Sequence, residues 1–156
     1  MASKQTVIVT GASQGIGKAI VQAFLERGYN VVATSRSVSK AGFAPSPHLA
    51  LVDGDIGQPA TAEKVAQTAI GKFGSIDHVV NNAGIFAVKP FTDYTADEFR
   101  SFVSTNLEGF IHNTARSQAD TGAGHRRQRD KHHDVDGRAP HRGCSCVDSD
   151  DHEGWT

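Results

Sequence analysis

Apolar residues arrive along this chain in regular blocks as far as Ile111, and the blocks alternate between two periods. Thr6-Val-Ile-Val-Thr10 is apolar or β-branched throughout, which predicts a strand buried on both faces. From Ile16 to Arg27 the period changes to that of a helix, with Ile16, Ile20, Ala23 and Phe24 on one face and Gly28 as the stop. Asn30 to Thr34 predicts a second strand, Ser37 to Pro47 a loop, and Leu49 to Val52 a third strand. Thr61 to Phe73 predicts a helix with Ala62, Val65, Ala69 and Phe73 inward, and Ile76 to Val80 a fourth strand. A last helix is expected from Ala96 to Asn113. Thr95 is its N-cap, Glu98 completes a capping box, and Phe99, Phe102, Val103, Phe110 and Ile111 form an apolar stripe. Strands alternating with helices at this spacing imply an α/β fold with a parallel, doubly wound sheet, because right-handed crossovers lay successive helices on the sheet faces. No internal repeat is visible.

The pattern stops abruptly. From Ala115 to Thr156 there is no Leu, Ile, Phe, Met or Tyr, and opposite charges nearly cancel. Such a segment cannot offset the entropy of ordering it. The chain is therefore expected to divide into a domain at residues 1–114, with a sheet truncated after about four strands, and a disordered tail at residues 115–156.

Composition removes several functions. The formal net charge of −1 gives no overall attraction to nucleic acid or to a membrane. No apolar run spans a bilayer, and Met1-Ala-Ser-Lys4 leads directly into a strand, so no signal peptide is expected. Cys144 and Cys146 cannot staple a fold, and a reducing cytoplasm is the default compartment.

Chemistry enters with the turn after the first strand, Thr10-Gly-Ala-Ser-Gln-Gly-Ile-Gly17. A side chain at Gly11 would obstruct the turn. Gly15 lets backbone approach a pyrophosphate at the helix N-terminus, where free N–H groups and the dipole favour an anion. Gly17 lets the helix pack closely. In its strand-turn-helix setting the motif marks a Rossmann-type dinucleotide site, with Ser13, Gln14 and Ile16 carried on the same turn. The end of the second strand in such folds reads the adenine ribose. Here Ser35 stands where an acidic residue would select NAD, and Arg36 follows it. A guanidinium suits a 2′-phosphate, so NADP is the expected cofactor, with NAD the alternative. A solvated surface arginine is the other reading of Arg36.

Asp55-Ile56 after the third strand, Asn81-Asn82-Ala83-Gly84 at the end of the fourth, and Ser104-Thr-Asn106-Leu in the long helix then fall at fitting distances. Together with Thr10 to Gly17 they resemble the short-chain dehydrogenase/reductase family over residues 5 to 114. The resemblance implies hydride transfer between NAD(P) and a small alcohol or ketone. It implies that Asp55 and Ile56 meet the adenine, that Asn82, Ala83 and Gly84 line the cofactor's ribose and the sheet edge, and that Asn106 is the catalytic asparagine holding a water. Asn106 lies on or beside an apolar stripe, where an unpaired amide is costly; a buried amide satisfied by neighbouring backbone is the other reading. The resemblance also implies a homo-oligomer for the intact fold, but not for this chain. The family's downstream Tyr-x-x-x-Lys is missing. The only tyrosines are Tyr29 and Tyr94, followed four residues on by Ala33 and Glu98. A catalytically inactive nucleotide-binding fragment is thus the second expectation.

The tail admits three readings. His125, His132, His133, His141, Cys144, Cys146 and His152 are metal-ligand types, but their spacing fits no zinc pattern and no metal site is assigned. Arg126-Arg-Gln-Arg129 could touch phosphates, but neighbouring aspartates offset it. The genetic code offers the third. Read from the second base of each codon, Trp155-Thr156 gives Gly, Glu153-Gly154 gives only Lys or Arg, and the end can read T-T-K-G-G. Ala119 to Asp134 permits Q-I-L-A-Q-G-T-G-G-S-V-I-N-I-T-T. Both strings resemble the family's missing half, so a frameshift near Thr114 is expected. In the restored frame Ser149-Asp150 cannot encode Tyr, so the parent also lacks the usual tyrosine.

Overall fold

The computed structural model describes residues 4–118. Four strands form one parallel sheet: β1 (Thr6–Thr10), β2 (Asn30–Ser35), β3 (Leu49–Asp53) and β4 (His78–Val80), in the spatial order β3-β2-β1-β4. Two helices cover it, α1 (Gly15–Glu26) and α2 (Pro59–Phe73). The order reverses at β1, since β2 and β4 lie on its two sides, and in open parallel sheets ligands bind outside the carboxyl ends of the strands at such a reversal.

The strands are apolar at nearly every position because both faces are covered. Val7 and Val9 of β1 join Val31, Ala33 and Leu49 in a core against Val21, Ile20 and Phe24 of α1. Ile8 points the other way and joins Val32, Ala50 and Val52 against Val65, Ala66 and Ala69 of α2. The strand's two-residue alternation thus splits each run between two helices. Gly28, with φ of 82°, lets the chain reverse after α1 into β2, and Gly74 does the same after α2.

Several boundaries differ from expectation. Helix α2 begins at Pro59, in the first turn, where a missing N–H costs nothing. A single 3₁₀ turn, Val38–Lys40, interrupts the expected loop. Pairing in β4 starts only at His78, although Ile76 is buried. Ile16 is not on the buried face of α1; it is 74% exposed at the helix start.

The larger correction concerns the last helix. Thr95 and Glu98 form the expected capping box at the start of α3 (Ala96–Phe102). A π-helical segment, Val103–Glu108, follows, with the Gly109 N–H donating to the Ser104 carbonyl. Helix then resumes through residue 118, past the end expected at Asn113 and past the boundary expected at 114. An inserted residue turns the following side chains by roughly 100° relative to an unbroken helix. The expected stripe is therefore broken after the insertion: Phe110 and Ile111 are exposed, and Gly109, Asn113 and Ser117 face inward; Phe99, ahead of the insertion, is exposed as well. Small side chains let this helix approach the end of β4, where Asn113 Nδ2 donates to Asn81 Oδ1 and Asn81 Nδ2 to Thr114 Oγ1. Residues 115–118 of the tail expected to be disordered are thus helical, and the rest of that tail, with its histidines and cysteines, lies outside the described residues from position 119 on.

Candidate dinucleotide site

The carboxyl ends of the strands open into a cleft of about 630 Å³. The glycine turn contributes Gly11, Ser13, Gln14, Gly15, Ile16 and Gly17, and the end of β2 contributes Ser35 and Arg36. Asp55 and Ile56 come from the loop after β3, and Asn82, Ala83 and Gly84 from the segment after β4. Every cofactor-site residue named from the sequence therefore lines this one cleft, while Asn106 stands outside it.

The turn is shaped by close approach. A Cβ on Gly17 would fall on the carbonyl oxygen of Gly11 and within 2.6 Å of Asn82 Nδ2. Gly15 has φ of 53° and open space where a side chain would stand. The N-cap Gln14 makes no side-chain cap bond, and the first turn of α1 carries no acidic residue. The N-terminal amides of a helix this long make a ready anion site.

Thr10 connects the turn to β4. Its Oγ1 accepts from the N–H groups of Asn82 at 3.0 Å and Ala83 at 2.9 Å. Asn82 Nδ2 returns bonds to the carbonyls of Thr10 and Gly11 at 3.1 and 3.3 Å. Motif spacing alone assigns Thr10 no role. The available signal was a hydroxyl closing a buried apolar strand, where an unpaired group would be costly. Thr34, Ser37, Gly54 and Ile85 also line the cleft and carry no motif signal, and Thr105, inside the Ser104-Thr-Asn106-Leu motif but assigned no role there, joins them.

On the opposite wall, Asp55 Oδ1 accepts from the Gly57 N–H at 3.0 Å and tightens its own loop. A Cβ on Gly57 would meet Ser104 Oγ at 2.5 Å, so that loop lies directly against the π segment. Arg36 is exposed at the cleft, and no carboxylate among the described residues pairs with it. Asn106 accepts from the Ile85 N–H and donates to the Ile85 carbonyl. Beyond Ile85 lies an apolar hollow of about 510 Å³ bounded by Phe86, Phe91, Phe99 and Phe102.

The tyrosines do not enter the cleft. Tyr29 packs edge-on against Phe24, and Tyr94 donates to the Ala87 carbonyl. Lys89 stands 4.9 Å from the Tyr94 ring centre and pairs with Glu98 at 2.6 Å. The Lys89 ammonium, with the Thr95 amide and hydroxyl, lowers the Glu98 pKa to about 2.

Sequence comparison decides the lineage of this arrangement, since residues 5–121 match the family of short chain dehydrogenases. The chain belongs to the short-chain dehydrogenase family. An NADP-dependent (R)-specific alcohol dehydrogenase of Lentilactobacillus kefiri is 35% identical over 115 residues, covering 70% of this chain and 46% of that protein. An 11-beta-hydroxysteroid dehydrogenase-like protein of Arabidopsis thaliana is 32% identical over 118 residues, covering 70% and 40%. The solved short-chain dehydrogenase/reductase of glucose/ribitol dehydrogenase type from Brucella melitensis superposes with a TM-score of 0.68 at 30% identity, covering 74% of this chain and 52% of that one. The chain thus spans less than half the length of these two curated short-chain dehydrogenase relatives. No helix among the described residues is long and apolar enough to cross a membrane.

Proposed function

We propose that this chain carries the cofactor-binding half of an oxidoreductase that moves a hydride between NADP and a small alcohol or ketone. The observation that carries this reading is one cleft with two places for anions, the N-terminus of α1, which has no side-chain cap, and the exposed guanidinium of Arg36, with which no carboxylate among the described residues pairs. The α1 amides would take the pyrophosphate and Arg36 the 2′-phosphate, against which Ser35 sets no negative charge. Asp55 and Ile56 would meet the adenine, and Asn82, Ala83 and Gly84 the ribose. Bound NADP would supply or accept the hydride. Asn106 would hold the Ile85 strip beside the reacting groups, and the apolar hollow past it would take the carbon skeleton of the alcohol or ketone. The name of the Lentilactobacillus kefiri relative, an NADP-dependent alcohol dehydrogenase, supports both halves of the reading.

A second reading is that the chain as written binds the dinucleotide without turnover. The specific observation is that neither tyrosine lines the cleft, that Tyr94, at the wall of the apolar hollow, donates its hydroxyl to the Ala87 carbonyl, and that neither is followed by lysine at the fourth position.

Titration calorimetry of the full chain with NADP and NAD tests the binding. A charge-assisted contact predicts NADP tighter by about ten- to a hundredfold, with Arg36→Ala removing most of that preference. Equal affinity for the two would return Arg36 to the status of a surface arginine. Formation of reduced nicotinamide from NADP and a secondary alcohol, lost on Asn106→Ala, separates the first reading from the second.

A further inference from the structure

Between β2 and β3 the chain passes Arg36 and enters the 3₁₀ turn Val38–Lys40, whose own N-cap, Ser37, makes no side-chain cap bond. The missing cap comes from the neighbouring strand. Asp53, paired in register with Ser35, turns its carboxylate onto the turn. Its Oδ1 accepts from the Ser39 N–H at 2.9 Å and its Oδ2 from the Ser39 hydroxyl at 2.5 Å. The Val38 N–H adds to these bonds, and together they hold the Asp53 carboxyl below its ordinary range.

The far end of the turn is held by the opposite charge. Lys18, next to Gly17 in α1, donates from Nζ to the Ala41 carbonyl at 2.6 Å and lies 5.5 Å from the Phe43 ring centre. An anion at the first amides and a cation at the last carbonyl are the signs that the turn's peptide dipoles favour. Val38 is meanwhile fully buried in the core. The backbone two residues after Arg36 is therefore anchored from β3, from α1 and from below.

We propose that Asp53, seconded by Lys18, is a positioning residue for recognition of a 2′-phosphate, acting through the turn that fixes the backbone beside Arg36. The proposal rests on the reading of Arg36 as the 2′-phosphate partner. A long side chain contributes more affinity when its anchor is already ordered, because less entropy is lost on binding. The Asp53 charge is directed at the donors of the turn, which leaves Arg36 free for the ligand. NAD lacks the phosphate and gains nothing from this arrangement.

The test is calorimetry of the full chain with NADP and NAD, for the wild type and for Arg36→Ala, Asp53→Asn and Ser39→Ala, with trypsin cleavage after Arg36 and Lys40 as a cofactor-free readout. Asp53→Asn should weaken NADP about tenfold and leave NAD within about twofold, with Ser39→Ala a smaller change in the same direction. Cleavage in the turn should accelerate in both variants. Ser39→Ala removes one hydroxyl and keeps the test sound if Asp53→Asn does not fold. A wild-type NADP preference that Arg36→Ala abolishes but Asp53→Asn and Ser39→Ala keep overturns the proposal alone. Parallel loss of both dinucleotides in Asp53→Asn and Ser39→Ala overturns it as well, since the role would then be general. Absent or equal binding of the two by the wild type overturns the reading of Arg36, and the proposal with it.

Discussion

Asn106 and Ile85 are joined by two hydrogen bonds. The amide oxygen accepts from the Ile85 N–H at 2.8 Å, and the amide nitrogen donates to the Ile85 carbonyl at 3.0 Å. The side chain thus satisfies a strip of loop backbone as a strand neighbour would, although the residue itself is exposed. Among the described residues this clasp is the only side-chain hydrogen bonding between the π segment and the loop after β4, and Ile85 lines the cleft.

Asn106→Ala removes both bonds at once. The variant should lose about 1–2 kcal/mol of stability, at the modest net value of exposed hydrogen bonds. The Ile85 amide should exchange faster while the β1 amides are unaffected. Denaturant titration and residue-resolved hydrogen exchange check this, and unchanged protection at Ile85 would rule out the clasp.

Acid should release the start of α3. The Glu98 pKa is lowered from 4.5 to about 2, so its contribution is fully present above the higher value and lost as pH falls toward the lower. Glu98→Gln should lower Tm near neutral pH and flatten its decline across that window. A Tm difference between the two proteins that stays constant down to about pH 2 would contradict it.

Two glycines separate packing from propensity. Gly17→Ala places a Cβ against the Gly11 carbonyl and Asn82 Nδ2, and should cost about 1–3 kcal/mol while abolishing dinucleotide binding. Gly71, in the interior of α2, has nothing within 4 Å of the same position. Gly71→Ala should add about 0.5–1 kcal/mol and leave binding unchanged. Thermal denaturation and calorimetry of both variants provide the comparison.

Ser35→Asp should invert the cofactor preference. It puts a carboxylate at the end of β2, beside the guanidinium proposed to meet the 2′-phosphate. Like-charge repulsion then disfavours NADP, and the ribose hydroxyl of NAD gains an acceptor. Calorimetry on the full chain should find NAD the tighter ligand, and a retained NADP preference would move the phosphate site elsewhere.

Local pattern carried far in this chain because much of its structure is local. The β-branched run Thr6–Thr10 is a strand buried at every position, and its alternation already assigns Val7 and Val9 to one layer and Ile8 to the other. The capping box at Thr95 and Glu98 and the glycines of the first turn are likewise written within a few residues of sequence. What needed the tertiary structure lies between residues far apart. The order β3-β2-β1-β4 depends on which strand ends meet, and no periodicity records it. A wheel drawn over residues 96–113 buries Phe110, whereas the π segment rotates the helix and presses Gly109 against Ile56. Asp53 lies fourteen residues from Ser39, and Asn106 twenty-one from Ile85. Side-chain periods of two and 3.6 residues report only the direction in which a group leaves its own element. The partner it then meets is set by how the elements pack, and that is a property of the assembled sheet and helices.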